Sequence, residues 1–226
     1  MTIDTSRRRA LTLLGLGSLA AAAIPSGATQ PAGAGRRWAE ISPRERARQR
    51  YFPNLELKAH DGRTVKLYDD LIRDKLVVLN FMYASCEGAC PKVMSNLARV
   101  QQLLGERMGR DIFFYSFTLR PEVDSPEVLR EYAEMHQVKP GWLLLTGQPD
   151  DLELLRRRLG FVDPDPEIDK DRSNHIGNIR YGNEPLTQWG ACPGMSDPEW
   201  IAESILWVDW PRENGTPAAT EQGGRT

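Results

Sequence analysis

Cys86 and Cys90, in the stretch FMYASCEGACPKVM (residues 81–94), are two of only three cysteines in the 226-residue chain. They follow an apolar run and stand just before Pro91, a residue suited to the first turn of a helix. Backbone N–H groups and the dipole at a helix N-terminus favour a thiolate. A short loop also lets two sulfurs share a bond or a metal ion, and thiolates are soft donors that select Cu(I), zinc and iron–sulfur centres. Such a pair can therefore carry two electrons as a dithiol–disulfide couple, hold a soft metal, or simply staple a loop as a structural disulfide. The spacing alone does not choose. Its place between a buried strand and a helix in an α/β chain favours redox or metal chemistry over the staple. A close pair also argues against a peroxidase, which needs a lone activated thiolate beside an arginine.

The remaining candidate ligands are three histidines and one cysteine. His60 lies beside Asp61-Gly62 and reads as a solvated turn residue. His136 falls in the last turn of a predicted helix, where a cation meets the dipole favourably. His175, in DKDRSNHIG, sits on no apolar face, in a loop dense with charge, and its residue type alone leaves ligand and idle surface residue equally open. Cys192, in QWGACPGMSDPEW, could be an added ligand, a resolving thiol, an intermolecular disulfide or a small buried hydrophobe, the last being favoured.

The elements that must position these groups are legible. Ser42-Pro43 opens a charged short helix stopped by Pro53. LELKAHDGRTVKLY alternates on both sides of Asp61-Gly62, the signature of a hairpin. Lys75 to Tyr83 is an unbroken apolar run, as expected for a strand covered on both faces. Pro91 to Leu104 repeats its apolar residues at helical spacing, and DIFFYSFTL and WLLLTG give two further strands. Ser125-Pro126 opens a helix to about His136, and Pro149 to Leu159 forms another ending at Gly160. A terminal helix is expected in DPEWIAESILWVDW, with its aromatics as core or surface cover. Alternating strands and helices predict an α/β domain with a central mixed sheet flanked by helices and an N-terminal β-hairpin extension.

VVLNFMYASCEGACPKVMSNLARVQ resembles the core motif of the Sco/SenC family, and the resemblance continues through DSPEVLREYAEMHQV, GWLLLTG and the lone His175, over about residues 51–181. It implies a thioredoxin-like fold and a copper-binding protein whose ligands are Cys86, Cys90 and His175. It further implies a metallochaperone that delivers copper or reducing equivalents to the copper-site subunit of cytochrome c oxidase or another copper enzyme, with a thioredoxin-like reductant as a further partner. Two alternatives remain: a thiol-disulfide oxidoreductase cycling Cys86 and Cys90, and a redox or copper sensor acting through a membrane partner. Two local departures stand out. Leu119-Arg120-Pro121 replaces the family's usual Asp-Pro pair, and IGNIRYGNEPL is short and polar where the family runs into an apolar strand and hairpin. By the same resemblance, Asp169 and Asp171 are candidates to hold His175 from behind.

The chain begins with Arg7-Arg8-Arg9 and a short apolar run, Ala10 to Ile24, followed by small residues. This reads as a secretory signal over residues 1–28, of twin-arginine type, and so predicts a periplasmic protein, with an uncleaved anchor as the alternative. Residues 29–50 read as linker and short helix, 51–210 as the thioredoxin-like domain and 211–226 as a disordered tail. A formal net charge of −2 gives no reason to expect nucleic acid as a partner.

Overall fold

The computed structural model describes residues 41–171 and 177–209. Helix α1 (Pro43–Tyr51) starts where the Ser42 hydroxyl accepts the Glu45 N–H at 3.1 Å. Strands β1 (Glu56–Ala59) and β2 (Thr64–Lys66) form the hairpin, with Gly62 at φ 91° in the left-handed region that its turn requires. A π-helical turn, Leu67–Ile72, leads into β3 (Leu76–Met82), all of whose residues are buried. Helices and strands then alternate: α2 (Cys90–Leu104), β4 (Ile112–Thr118), α3 (Pro126–Met135), β5 (Trp142–Gly147) and α4 (Pro149–Arg158). The short helix α5 (Pro166–Lys170), strands β6 (Asn178–Asn183) and β7 (Gln188–Pro193), and helix α6 (Pro198–Trp207) follow.

The strands make one seven-stranded sheet in the order β2-β1-β5-β4-β3-β6-β7. β3, β4 and β5 run parallel, while β1 joins β5 and β6 joins β3 antiparallel, so the sheet is mixed, as expected. One face buries Val93, Leu97 and Val100 of α2, Leu129 of α3, and Ile201 and Ile205 of α6. The other buries Phe52, the π-helical turn, and Leu152 and Leu155 of α4. Each such aliphatic side chain contributes about 2 kcal/mol relative to exposure. The central strands are thus fixed from both sides, and the loop leaving β3 springs from a rigid base.

The β6–β7 hairpin is where the sequence looked too short and polar. Its stability comes from across the strands. Tyr181 lies opposite Gly190 and Trp189 opposite Gly182, and a Cβ on Gly182 would meet the Trp189 ring at 2.1 Å. Each ring lies over a glycine on the neighbouring strand, so apolar cover is supplied by the partner strand.

Two histidine expectations are corrected. His60 is half-buried: its Nδ1 accepts the Leu144 N–H at 3.1 Å, extending the β1–β5 ladder, and burial lowers its pKa. His136 caps the end of α3 with its ring 4.3 Å from that of Tyr132. Burial lowers its pKa too, which disfavours the cation expected to meet the helix dipole.

Candidate metal and redox centre

β3 ends at Met82, and after seven intervening residues α2 begins with Cys90 itself. Ala89, the cap position, has no side chain to offer, unlike Ser42, Ser125 and Asp197, which cap α1, α3 and α6. The missing acceptor is sulfur. Cys86 accepts hydrogen bonds from the backbone N–H groups of Gly88 and Cys90, from the Tyr83 hydroxyl and from the Cys90 thiol. Both cysteines are free thiols, with 6% of Cys86 exposed against 1% of Cys90, so Cys86 is the one a partner meets first.

These contacts set the two sulfurs apart. Burial opposes a charge on Cys86, but the four donors outweigh it and its pKa is lowered. Burial drives the Cys90 pKa well up, and its proton is held there by the bond it makes to Cys86. Tyr83 is pushed up to about 12, by burial first and then by its bond to Cys86, so it stays a donor. One sulfur is prepared as nucleophile and soft ligand; the other keeps its proton until the site is engaged.

The surrounding shell contains residues that the sequence reading passed over. Asp124 is buried and accepts the Ala84 N–H at 3.2 Å and the Thr118 hydroxyl, which ties the cysteine loop to β4. Its place directly before the Ser125-Pro126 cap was the available signal. The Tyr132 hydroxyl is buried without a partner among the described residues, and its pKa is raised by burial and then by the fields of Cys90, Cys86 and Asp124. Arg120 holds its guanidinium 5.8 Å from the centre of the Tyr83 ring and donates to the Ser85 hydroxyl at 3.3 Å.

A family model described as SCO1/SenC matches residues 43–178, more than half of the chain and inclusive of both loop cysteines and His175. The chain belongs to the SCO1/SenC family. A SCO2-like protein of Rickettsia typhi is 27% identical over 110 residues, which cover 46% of this chain and 53% of that protein. The chain thus spans about half the length of the curated relatives it matches. Among solved structures, a SCO1/SenC family lipoprotein from Bacillus anthracis superposes with a TM-score of 0.58 at 22% identity, covering 70% of this chain and 94% of that one. Bradyrhizobium japonicum ScoI, solved with copper bound, gives 0.55 at 18% identity, covering 68% and 96%. The fold is the thioredoxin-like one that the resemblance implied.

Of the Sco/SenC trio, the structure brings Cys86 and Cys90 together, while His175 lies outside the described residues. The far side of that gap is fixed against the cysteine helix. A Cβ on Gly177 would stand 3.4 Å from that of Ala89, Gly194 donates to the Gly177 carbonyl at 2.8 Å, and the Asn96 amide donates to the carbonyls of Gly194 and Ser196. Asp169 has partners of its own among the described residues. Both of its oxygens accept from Arg156 at 2.6 Å, and one also takes the Asp163 N–H, so it anchors α5 to α4. Cys192 is buried beside Ile179 in β7, with burial raising its pKa to about 11. Among the described residues no group of three ligating side chains forms, so Cys192 does not complete the sulfur pair and stands as a small core residue.

Proposed function

We propose that this chain is an exported, periplasmic copper-binding protein of the Sco type. It takes Cu(I) on Cys86, Cys90 and His175 and passes copper, or the reducing power of its dithiol, to the copper site of a respiratory oxidase or another copper enzyme. The observation that carries this reading is the sulfur pair at a helix mouth whose cap residue, Ala89, offers no acceptor of its own, with one thiol favoured as thiolate and both donors soft. Supporting it, Bradyrhizobium ScoI and yeast Sco1 were solved with copper bound, and a further solved relative, BsSco, is described as a member of the Sco family of cytochrome c oxidase assembly proteins. Gly177, two residues after His175, lies against Ala89, and two residues of extended chain span up to about 7 Å. Export is supported by the basic head and apolar run at residues 7–24, and among the described residues no helix is long and apolar enough to cross a membrane.

Binding of Cu(I) displaces the proton that Cys90 holds, so affinity falls as pH is lowered. The test is an anaerobic Cu(I) titration of the reduced protein against a competing chelator. We expect one equivalent bound, lost in Cys86→Ser and in Cys90→Ser and sharply weakened in His175→Ala. No saturable binding to the wild type would refute the proposal. The asymmetry of the two thiols also suits a thiol-disulfide reductase. Full exchange activity in His175→Ala, with no copper affinity in the wild type, would favour that reading instead.

A further inference from the structure

We infer that Arg120 selects the exchange partner of the Cys86–Cys90 pair, favouring a thiol or disulfide that carries a carboxylate beside its sulfur. This rests on the redox competence proposed above. Arg120 reaches the cysteine loop from the strand end of β4: it stacks over Tyr83 at 5.8 Å, and Nη1 donates to Ser85, the neighbour of Cys86, at 3.3 Å. Its Nε faces Glu122 at 3.7 Å, where the two side chains are 41% and 59% exposed, a pairing that solvent weakens. Among the described residues, Nη2 has no partner. A planar guanidinium held by ring and hydroxyl, with one edge free, is suited to receive a carboxylate.

A cavity of about 270 Å³ adjoins it, with Arg120 on its wall beside Pro121, Pro149 and Leu152; Glu122 and Glu153 also line it, Glu153 being paired with Arg156. It offers room for the residue that flanks a partner's cysteine. The other charges near the mouth, Glu87 on the loop and Lys92 on α2, are exposed and opposite in sign, so neither decides the preference.

In the exchange, the Cys86 thiolate attacks one sulfur of the partner disulfide, whose S–S bond breaks and whose other sulfur leaves as a thiolate. Cys90 then gives up its proton and attacks Cys86 in the mixed disulfide, closing the Cys86–Cys90 bond and releasing the second partner thiol. Two electrons pass from the pair to the partner.

The test compares oxidation rates of the reduced protein by glutathione disulfide, which is anionic, and by cystamine, which is cationic. At low salt the loss of the Arg120 charge should change each rate about threefold per unit charge on the half of the probe that carries the attacked sulfur, in opposite directions for the two probes. The ratio of the two rates should therefore fall about tenfold in Arg120→Gln and return in Arg120→Lys. High salt should narrow the difference between wild type and variant. A changed reactivity of Cys86 itself would scale both rates alike and leave their ratio unmoved, so the ratio isolates the role of the charge. An unchanged ratio in Arg120→Gln would overturn the inference. A failed Cu(I) titration alongside the expected ratio would remove copper and leave the partner preference standing. Failure of both probes to oxidise the pair would remove the redox reading and this inference with it.

Discussion

Glu184 offers a sharp test of how the N-terminal helix is held. The residue sits at the end of β6 with 4% of its surface exposed, and its two oxygens accept from Arg44 Nε and Nη2 at 2.6 Å each, from the Tyr68 hydroxyl at 2.8 Å and from the Asp74 N–H at 2.9 Å. Glu184→Gln removes the charge and puts a donor where an acceptor is needed. Breaking a buried ion pair costs about 3–5 kcal/mol. Here Arg44 is 37% exposed and keeps Asp74, so we expect about 2–3 kcal/mol instead. For a domain of this size that is about 5–10 °C in Tm. The pH dependence has a definite sign. Burial raises the Glu184 pKa, but the bonds to Arg44, Asp74 and Tyr68 more than offset it, and the folded value is lowered. The stabilisation is then fully present above the unfolded pKa of about 4.3 and is lost as pH falls through the folded value. Urea unfolding of wild type and variant across pH 3 to 8 would show a gap that is wide at neutral pH and closes in acid. A gap that stays constant with pH, or is missing at pH 7, would refute the argument.

Two further outcomes follow from the same kind of accounting. Tyr83→Phe removes one of the four donors to the Cys86 sulfur, so the thiolate is less favoured and its pKa rises toward that of an ordinary thiol. The midpoint of the alkylation rate against pH reads this directly, and an unmoved midpoint would show that the phenol does not support the charge. Gly190→Ala places a Cβ 2.6 Å from the Tyr181 ring, and we expect about 1–3 kcal/mol lost from the hairpin, measured by thermal unfolding; a neutral result would mean that the ring does not pack over that glycine.

The fold was legible wherever one chain segment carried its own signal. The apolar run at 75–83, the Ser-Pro helix starts at 42 and 125, and the Asp61-Gly62 turn each announce their element locally, and each appears where expected. The β6–β7 hairpin was illegible because its apolar cover comes from the opposite strand, and Gly182 and Gly190 read as breakers until the rings over them are known. His60 looked solvated for a similar reason: its partner, the Leu144 N–H, is 84 residues away. At the site, the pairing of Cys86 with Cys90 could be read from spacing. The difference between them, one favoured as thiolate and one holding its proton, could not, because it depends on Tyr83 turning back onto the loop and on a cap position that offers no oxygen. The bond from Arg156 to Asp169, 13 residues further along the chain, was likewise announced by no local signal.

The sulfur of Cys86 has a second duty: it closes the open end of a fifteen-residue helix. Any bond made there, to copper or to another sulfur, draws electron density from the atom on which the Gly88 and Cys90 amides rest. Those amides should exchange their hydrogens faster when the centre is engaged than when it is reduced and empty. The state of the sulfur is therefore written into the backbone at the start of the helix, where hydrogen exchange reads it.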